Sequence, residues 1–190
     1  MRVTISSSSS ELINDEYKKS AALVTEFLAS NNCDLNWGSG SISIMGICYD
    51  SFAKMQRMIY GYTSPKYADD TKNLPKATHN VFETTFDLKK NIFNDADLIV
   101  LLPGGTGTIS EFFAYLEEIR SNDRNIPLIL YNENHHFDST IALIDDLVKR
   151  NFNSDSIYNY FKIANSFEEF KTLFYEIAND KVLLAKKTIK

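Results

Sequence analysis

Apolar residues in this chain follow two spacings that alternate along it. Leu98-Ile99-Val100-Leu101-Leu102 is apolar at every position, the pattern of a central parallel strand covered on both faces. Arg57 to Tyr62 and Leu128 to Tyr131 read as strands bounded by loop residues, with Val3 to Ile5 and Leu35 to Trp37 as shorter ones. Between strands, Tyr17, Ala21, Val24 and Leu28 recur at threes and fours, which predicts a helix over about Asp15 to Ala29. Ile141, Ile144, Leu147 and Val148 repeat that spacing behind Asp138 or Ser139 as cap, and Lys149-Arg150 stands where a helix C-terminus favours cations. Ser166 with Glu169 makes a capping box ahead of Phe170, Leu173, Phe174 and Ile177. The alternation predicts an α/β fold, a doubly wound parallel sheet with helices on both faces, as one domain over residues 1–190.

Two stretches lack a clear pattern. Thr63 to Thr78, with Pro65 and Pro75, reads as a mobile loop near the sheet edge. Ser6 to Ser10 looks low in complexity, yet it follows the first strand directly. In a doubly wound sheet that is where ligands bind, so a phosphate or sugar contact and a solvated turn both remain open.

The charge narrows the classes. Twenty Lys and Arg against 25 Asp and Glu leave a net charge of −5 over 190 residues, which argues against a nucleic-acid coat or a polybasic membrane binder. No apolar stretch approaches the ~20 residues of a spanning helix, and the N-terminus lacks a signal peptide's apolar core, so a cytoplasmic location is expected. Two cysteines, Cys33 and Cys48, cannot build a disulfide framework or a four-ligand zinc site, and they read as reduced packing residues. Adjacent side chains point apart, so His135-His136 reads as surface loop and no metal site is expected.

Candidate chemistry concentrates in Pro103-Gly104-Gly105-Thr106-Gly107-Thr108-Ile109-Ser110-Glu111, between the buried strand and an amphipathic helix. Glycines let backbone approach a ligand closely, and the helix start offers unpaired N–H groups and a positive dipole end to a phosphate. Thr106 and Thr108 add hydroxyls. Glu111 lies one turn into the helix, where side chains lean back toward the N-terminus and so toward that ligand. A second glycine loop, Gly38-Ser39-Gly40-Ser41-Ile42-Ser43-Ile44-Met45-Gly46, fails as a dinucleotide fingerprint because its third glycine position holds Ser43. No P-loop sequence occurs. The two loops together predict one crevice fit for a mononucleotide.

These motifs resemble those of the LONELY GUY family, the cytokinin-activating phosphoribohydrolases often labelled lysine decarboxylases. Pro103 to Glu111 fits PGGxGTxxE, and Trp37 to Gly46 resembles YGGGxxGLMG, keeping Gly38, Gly40, Met45 and Gly46. Pro127 to Arg150 is similar to the family's strand, its Gly-Tyr-Tyr-Asp turn (here His135 to Asp138) and the helix after it. The resemblance implies a Rossmann-like homodimer that hydrolyses the N-glycosidic bond of a nucleoside 5′-monophosphate, AMP or a cytokinin-type nucleotide, without metal or organic cofactor. It implies Glu111 as catalytic carboxylate, with Gly104, Gly105, Thr106, Gly107 and Thr108, and Gly38, Ser39, Gly40, Ser41 and Met45, holding substrate. The family's second catalytic residue, the arginine of Met-x-x-Arg-Lys, falls on Leu88 when counted back without gaps, and the lysine on Lys89. Lys89 is then the expected substitute. A nucleotide-binding sensor or carrier with weakened hydrolysis is the alternative. The plain reading of Thr84 to Asn94 is a helix with Phe86 and Phe93 on its core side and Lys89-Lys90 in solvent.

Overall fold

The structure, a computed structural model, describes residues 1–121 and 125–180. Strands and helices alternate from β1 (Arg2–Ser6) through α1 (Asp15–Ser30), β2 (Asp34–Trp37), α2 (Ser43–Lys54) and β3 (Ile59–Thr63). A 3-10 segment (Pro65–Asn73) leads to β4 (Thr78–Val81), α3 (Thr85–Asn94), β5 (Leu98–Leu101) and α4 (Thr106–Ser121). Then follow β6 (Leu128–Tyr131), α5 (Asp138–Lys149), β7 (Lys162–Ala164) and α6 (Phe167–Asn179). The seven strands form one sheet in the order β4-β3-β2-β1-β5-β6-β7, and every pairing is parallel.

The winding reverses between β1 and β5. Chain order runs one way from β1 to β4 and the other way from β5 to β7, so connections leave the two central strands in opposite directions. Such a switch point opens a crevice beyond the carboxyl ends of those strands. Alternation along each strand sends side chains to two cores. Val3, Ile5, Leu35, Trp37 and Val100 meet α1, α2 and α6 on one face. Ile99, Leu101, Leu128 and Leu130 meet α3, α4 and α5 on the other. Among the described residues no helix is long and apolar enough to cross a membrane.

The structure corrects several local expectations. Thr63 to Thr78 holds the 3-10 segment and reaches an edge strand, β4, whose side chains are at most half-buried. A strand of four residues with no buried face carries no alternation to read. Strand β7, three residues long, was unreadable for the same reason. Asp138 is the first residue of α5 and not its cap; its carboxylate instead accepts from Asn132 Nδ2 at 2.8 Å. Phe93 faces the core as expected, but Phe86 is 85 % exposed at the start of α3, and Leu88 and Ile92 face the core in its place. The Ser166 hydroxyl does accept from the Glu169 N–H at 3.1 Å, while the Glu169 carboxylate returns to the N–H of Asn165 at 2.8 Å.

Candidate active site

Three loops meet at the switch point. The serine segment after β1 is the strut between the other two: the Ser8 N–H donates to the Pro103 carbonyl at 3.0 Å, and the Ser8 carbonyl accepts from the Met45 N–H at 3.1 Å. Ser6, Ser7 and Ser8 thus belong to the crevice wall, and Ser6 and Ser8 are buried.

The turn after β5 is open where a ligand would approach. Gly105, Thr106 and Gly107 are exposed, and a Cβ on either glycine would meet nothing within 4 Å. The Gly105 carbonyl accepts from Ile109 N–H at 3.1 Å, which starts the α4 ladder and leaves the first-turn amides without an intrahelical acceptor. Gly104 differs: a Cβ there would lie 2.0 Å from Thr108 Oγ1 and 3.1 Å from the Ser7 carbonyl carbon. Glycine lets Thr108 fold against the turn, and the Thr108 hydroxyl faces Gly104 rather than solvent.

Glu111 leans from α4 to the end of β1, where Ser6 Oγ donates to Glu111 Oε2. The contact follows from β1 alternation, which points Thr4 and Ser6 at the α3–α4 side. Burial raises the Glu111 carboxyl above the ordinary carboxylate range; the Ser6 hydrogen bond and the Lys89 charge oppose that shift. Lys89 reaches across from α3, and its Nζ donates to Ser110 Oγ at 2.7 Å. Lys90 is exposed. Leu88, where the resemblance places an arginine, is half-buried against the apolar cluster under α3 and α4.

The second glycine loop is packed shut by its own residues. Met45 lies beneath Gly38 and Gly40, whose added Cβ atoms would come 2.9 Å from Met45 Cε and 2.6 Å from Met45 Sδ. Trp37 Nε1 donates to the Gly40 carbonyl at 3.2 Å. Ser39 is buried with φ at 58°, in the left-handed region, and its hydroxyl pairs with His79 Nδ1 at 3.1 Å. His79 Nε2 lies 3.2 Å from the Leu74 carbonyl, so the edge strand holds this loop from outside. Gly38 and Ser41 remain exposed at the crevice.

The two histidines part as adjacent side chains must. His135 turns out toward Asp138 at 3.2 Å, as a surface residue. His136 turns in, contrary to the surface reading: its Nε2 is 3.1 Å from the Gly104 nitrogen and 2.8 Å from the Gly104 oxygen, and Tyr17 packs edge-on against the ring. Buried Asn132, which accepts from the Phe137 N–H at 2.7 Å and donates to Asp138, sets the turn that aims it. The signal was the alignment of this turn with an aromatic position of the family motif. Cys33 and Cys48 are both buried, and burial pushes their thiols up to about 11 and about 12, so they are packing groups.

Comparison with known proteins agrees in kind. The family model described as "possible lysine decarboxylase" matches residues 45–173. A probable cytokinin riboside 5′-monophosphate phosphoribohydrolase of Oryza sativa subsp. japonica is 25% identical over 190 residues, covering 96% of this chain and 74% of its own. A cytokinin riboside 5′-monophosphate phosphoribohydrolase of Arabidopsis thaliana is 26% identical over 159 residues, covering 80% of this chain and 72% of its own. Among solved structures, the molybdenum cofactor binding protein of Rippkaea orientalis superposes with a TM-score of 0.65 at 19% identity, covering 94% of this chain and 97% of its own. The molybdenum cofactor carrier protein of Chlamydomonas reinhardtii gives 0.65 at 11%, covering 93% and 97%, and both share the fold.

Proposed function

The chain belongs to the family described as possible lysine decarboxylase, with LONELY GUY-type relatives, and from that premise we propose that it is a nucleoside 5′-monophosphate phosphoribohydrolase. The observation that carries this reading is the Glu111 carboxylate, desolvated and held by Ser6 at the switch point, one helical turn from an open amide-lined bend.

In this reading the phosphate sits on the amides of Gly105 to Gly107, where the positive end of α4 favours an anion. The ribose then lies over Glu111 and the base over Gly38 to Ser41. Water adds its hydroxyl to the anomeric carbon as the bond to the base nitrogen breaks, and its proton goes to the departing base. Free base and ribose 5-phosphate leave. The sugar gains oxocarbenium character on the way, so a nearby carboxylate stabilises the developing charge and orients the water. The Lys89 charge acts on Glu111 and favours its ionised form. AMP and cytokinin-type nucleotides are the first substrates to try, since the named relatives act on cytokinin riboside 5′-monophosphates. A cytoplasmic homodimer is part of the proposal, and light scattering would report a mass of two chains.

One observation favours a second reading. Leu88 is packed into the apolar cluster and offers no cation, so a nucleotide-binding sensor or carrier with weakened hydrolysis is the runner-up. Incubation with a panel of nucleoside 5′-monophosphates, assayed for ribose 5-phosphate, separates the two. Release from at least one purine nucleotide is expected. Nucleotide affinity with no release from any of them would replace the hydrolase by the carrier.

A further inference from the structure

Tyr115 stands four residues beyond Glu111 on α4, the spacing that stacks side chains on one helix face. It is 1 % exposed, and its ring stacks on Phe93 of α3 with centroids 5.6 Å apart and planes 21° from parallel. Its hydroxyl is wholly buried and has no hydrogen-bond partner among the described residues. A buried phenol normally finds an acceptor, because an unpaired O–H forfeits the hydrogen bond it made in water. Phenylalanine would fill the same space without that cost. That oxygen belongs to the helix face that carries Glu111, whose charge acts on it.

We propose that Tyr115 is a positioning residue for Glu111: its buried hydroxyl is the donor that receives the carboxylate when Ser6 releases it to substrate. The inference rests on the hydrolase reading of the site. In the free protein one carboxylate oxygen, Oε2, is held by Ser6. A nucleotide brings hydroxyls of its own to the end of β1, and they compete for the same two groups. A carboxylate that loses its donor in a desolvated place would take up a proton and stop stabilising the sugar's positive charge. The Tyr115 O–H prevents that from the protein side and leaves the other oxygen aimed at the ribose. The phenol keeps its own proton throughout, since burial and the Glu111 charge both hold it well above its ordinary value. The groups that face the carboxylate are therefore Ser6 from β1, Lys89 from α3 and Tyr115 from its own helix.

The test is Tyr115→Phe, which keeps the ring and its stacking on Phe93. Two readouts are taken against pH: kcat and KM with the best nucleotide, and the carboxyl carbon shift of Glu111 in glutamate-labelled protein with saturating ribose 5-phosphate, which brings sugar hydroxyls as well as the phosphate. The expected result is kcat down about tenfold with KM within about twofold, the loss of one hydrogen bond to a charged group. The acid limb of kcat and the carboxyl titration should both move to higher pH. A variant in which neither moves, whatever its melting temperature, overturns the proposal. If the parent protein releases no ribose 5-phosphate, the hydrolase reading fails on its own. The carboxyl titration still decides Tyr115: no displacement in the variant removes it, and a displacement to higher pH retains it as the partner of Glu111.

Discussion

The bend after β5 and the loop after β2 are both glycine-rich, and both sit at the carboxyl edge of the sheet, but their glycines answer to different neighbours. In the bend, Gly105 and Gly107 face open space. In the loop, an added Cβ would come 2.6 Å from Met45 Sδ at Gly40 and 2.5 Å from the Ser41 carbonyl oxygen at Gly46. The first pair leaves room for something outside the chain; the second makes room for the chain itself. A glycine motif read from sequence does not distinguish these uses. The surrounding atoms do.

The sharpest break in this comparison is Glu111→Gln, which should lower turnover about 10³-fold if the bend serves catalysis, measured as ribose 5-phosphate release. The same variant should be more stable than the parent at neutral pH. The folded protein raises this carboxyl above its unfolded value, so the stability it contributes in acid is lost as pH rises through the raised value. Melting curves of the two should coincide in acid and separate near neutrality in favour of glutamine. A constant offset across pH would mean the carboxyl is not desolvated.

Next come the glycines. Gly46→Ala forces a methyl into backbone and should cost about 2–3 kcal/mol in denaturant titrations. Gly107→Ala lies in the first turn of α4 with nothing to meet, so it should gain about 0.5–1 kcal/mol from helix propensity. Its affinity for phosphate should nevertheless fall, measured by calorimetry. Equal stability effects at the two positions would erase the distinction. Leu88→Arg then sharpens the role of the bend: a cation restored beside the site should raise the rate about tenfold.

The smallest effects belong to Ser39. Ser39→Ala keeps the left-handed backbone and loses the His79 bond, an expected cost of about 1 kcal/mol. Ser39→Gly loses the same bond but relieves about 1 kcal/mol of backbone strain, so its melting temperature should stay near the parent's.

Much of this molecule could be read from spacing alone. The five central strands and the helices over Asp15–Ser30, Asp138–Lys149 and Phe167–Asn179 carry long periodic apolar patterns, and burial on one face enforces such patterns. The edges β4 and β7 escaped because three or four residues with little buried surface leave no trace in composition. At the site, the PGGxGTxxE segment marked the bend and Glu111. The partners of Glu111 and Gly104 were hidden, since Ser6 and His136 arrive from β1 and from the loop after β6, far away in sequence. Tyr115 carries no motif and its ring packs in the core; its oxygen, unpaired among the described residues, sets it apart.

The strut at Ser8 has a consequence for anyone scanning the crevice by mutagenesis. Both of its links run through main-chain atoms, so a small side chain in place of this buried serine leaves the joint intact and gives up only the bond that Ser8 Oγ accepts from the Ser10 N–H at 3.0 Å. Proline, which has no amide hydrogen, would unfasten one loop from the other.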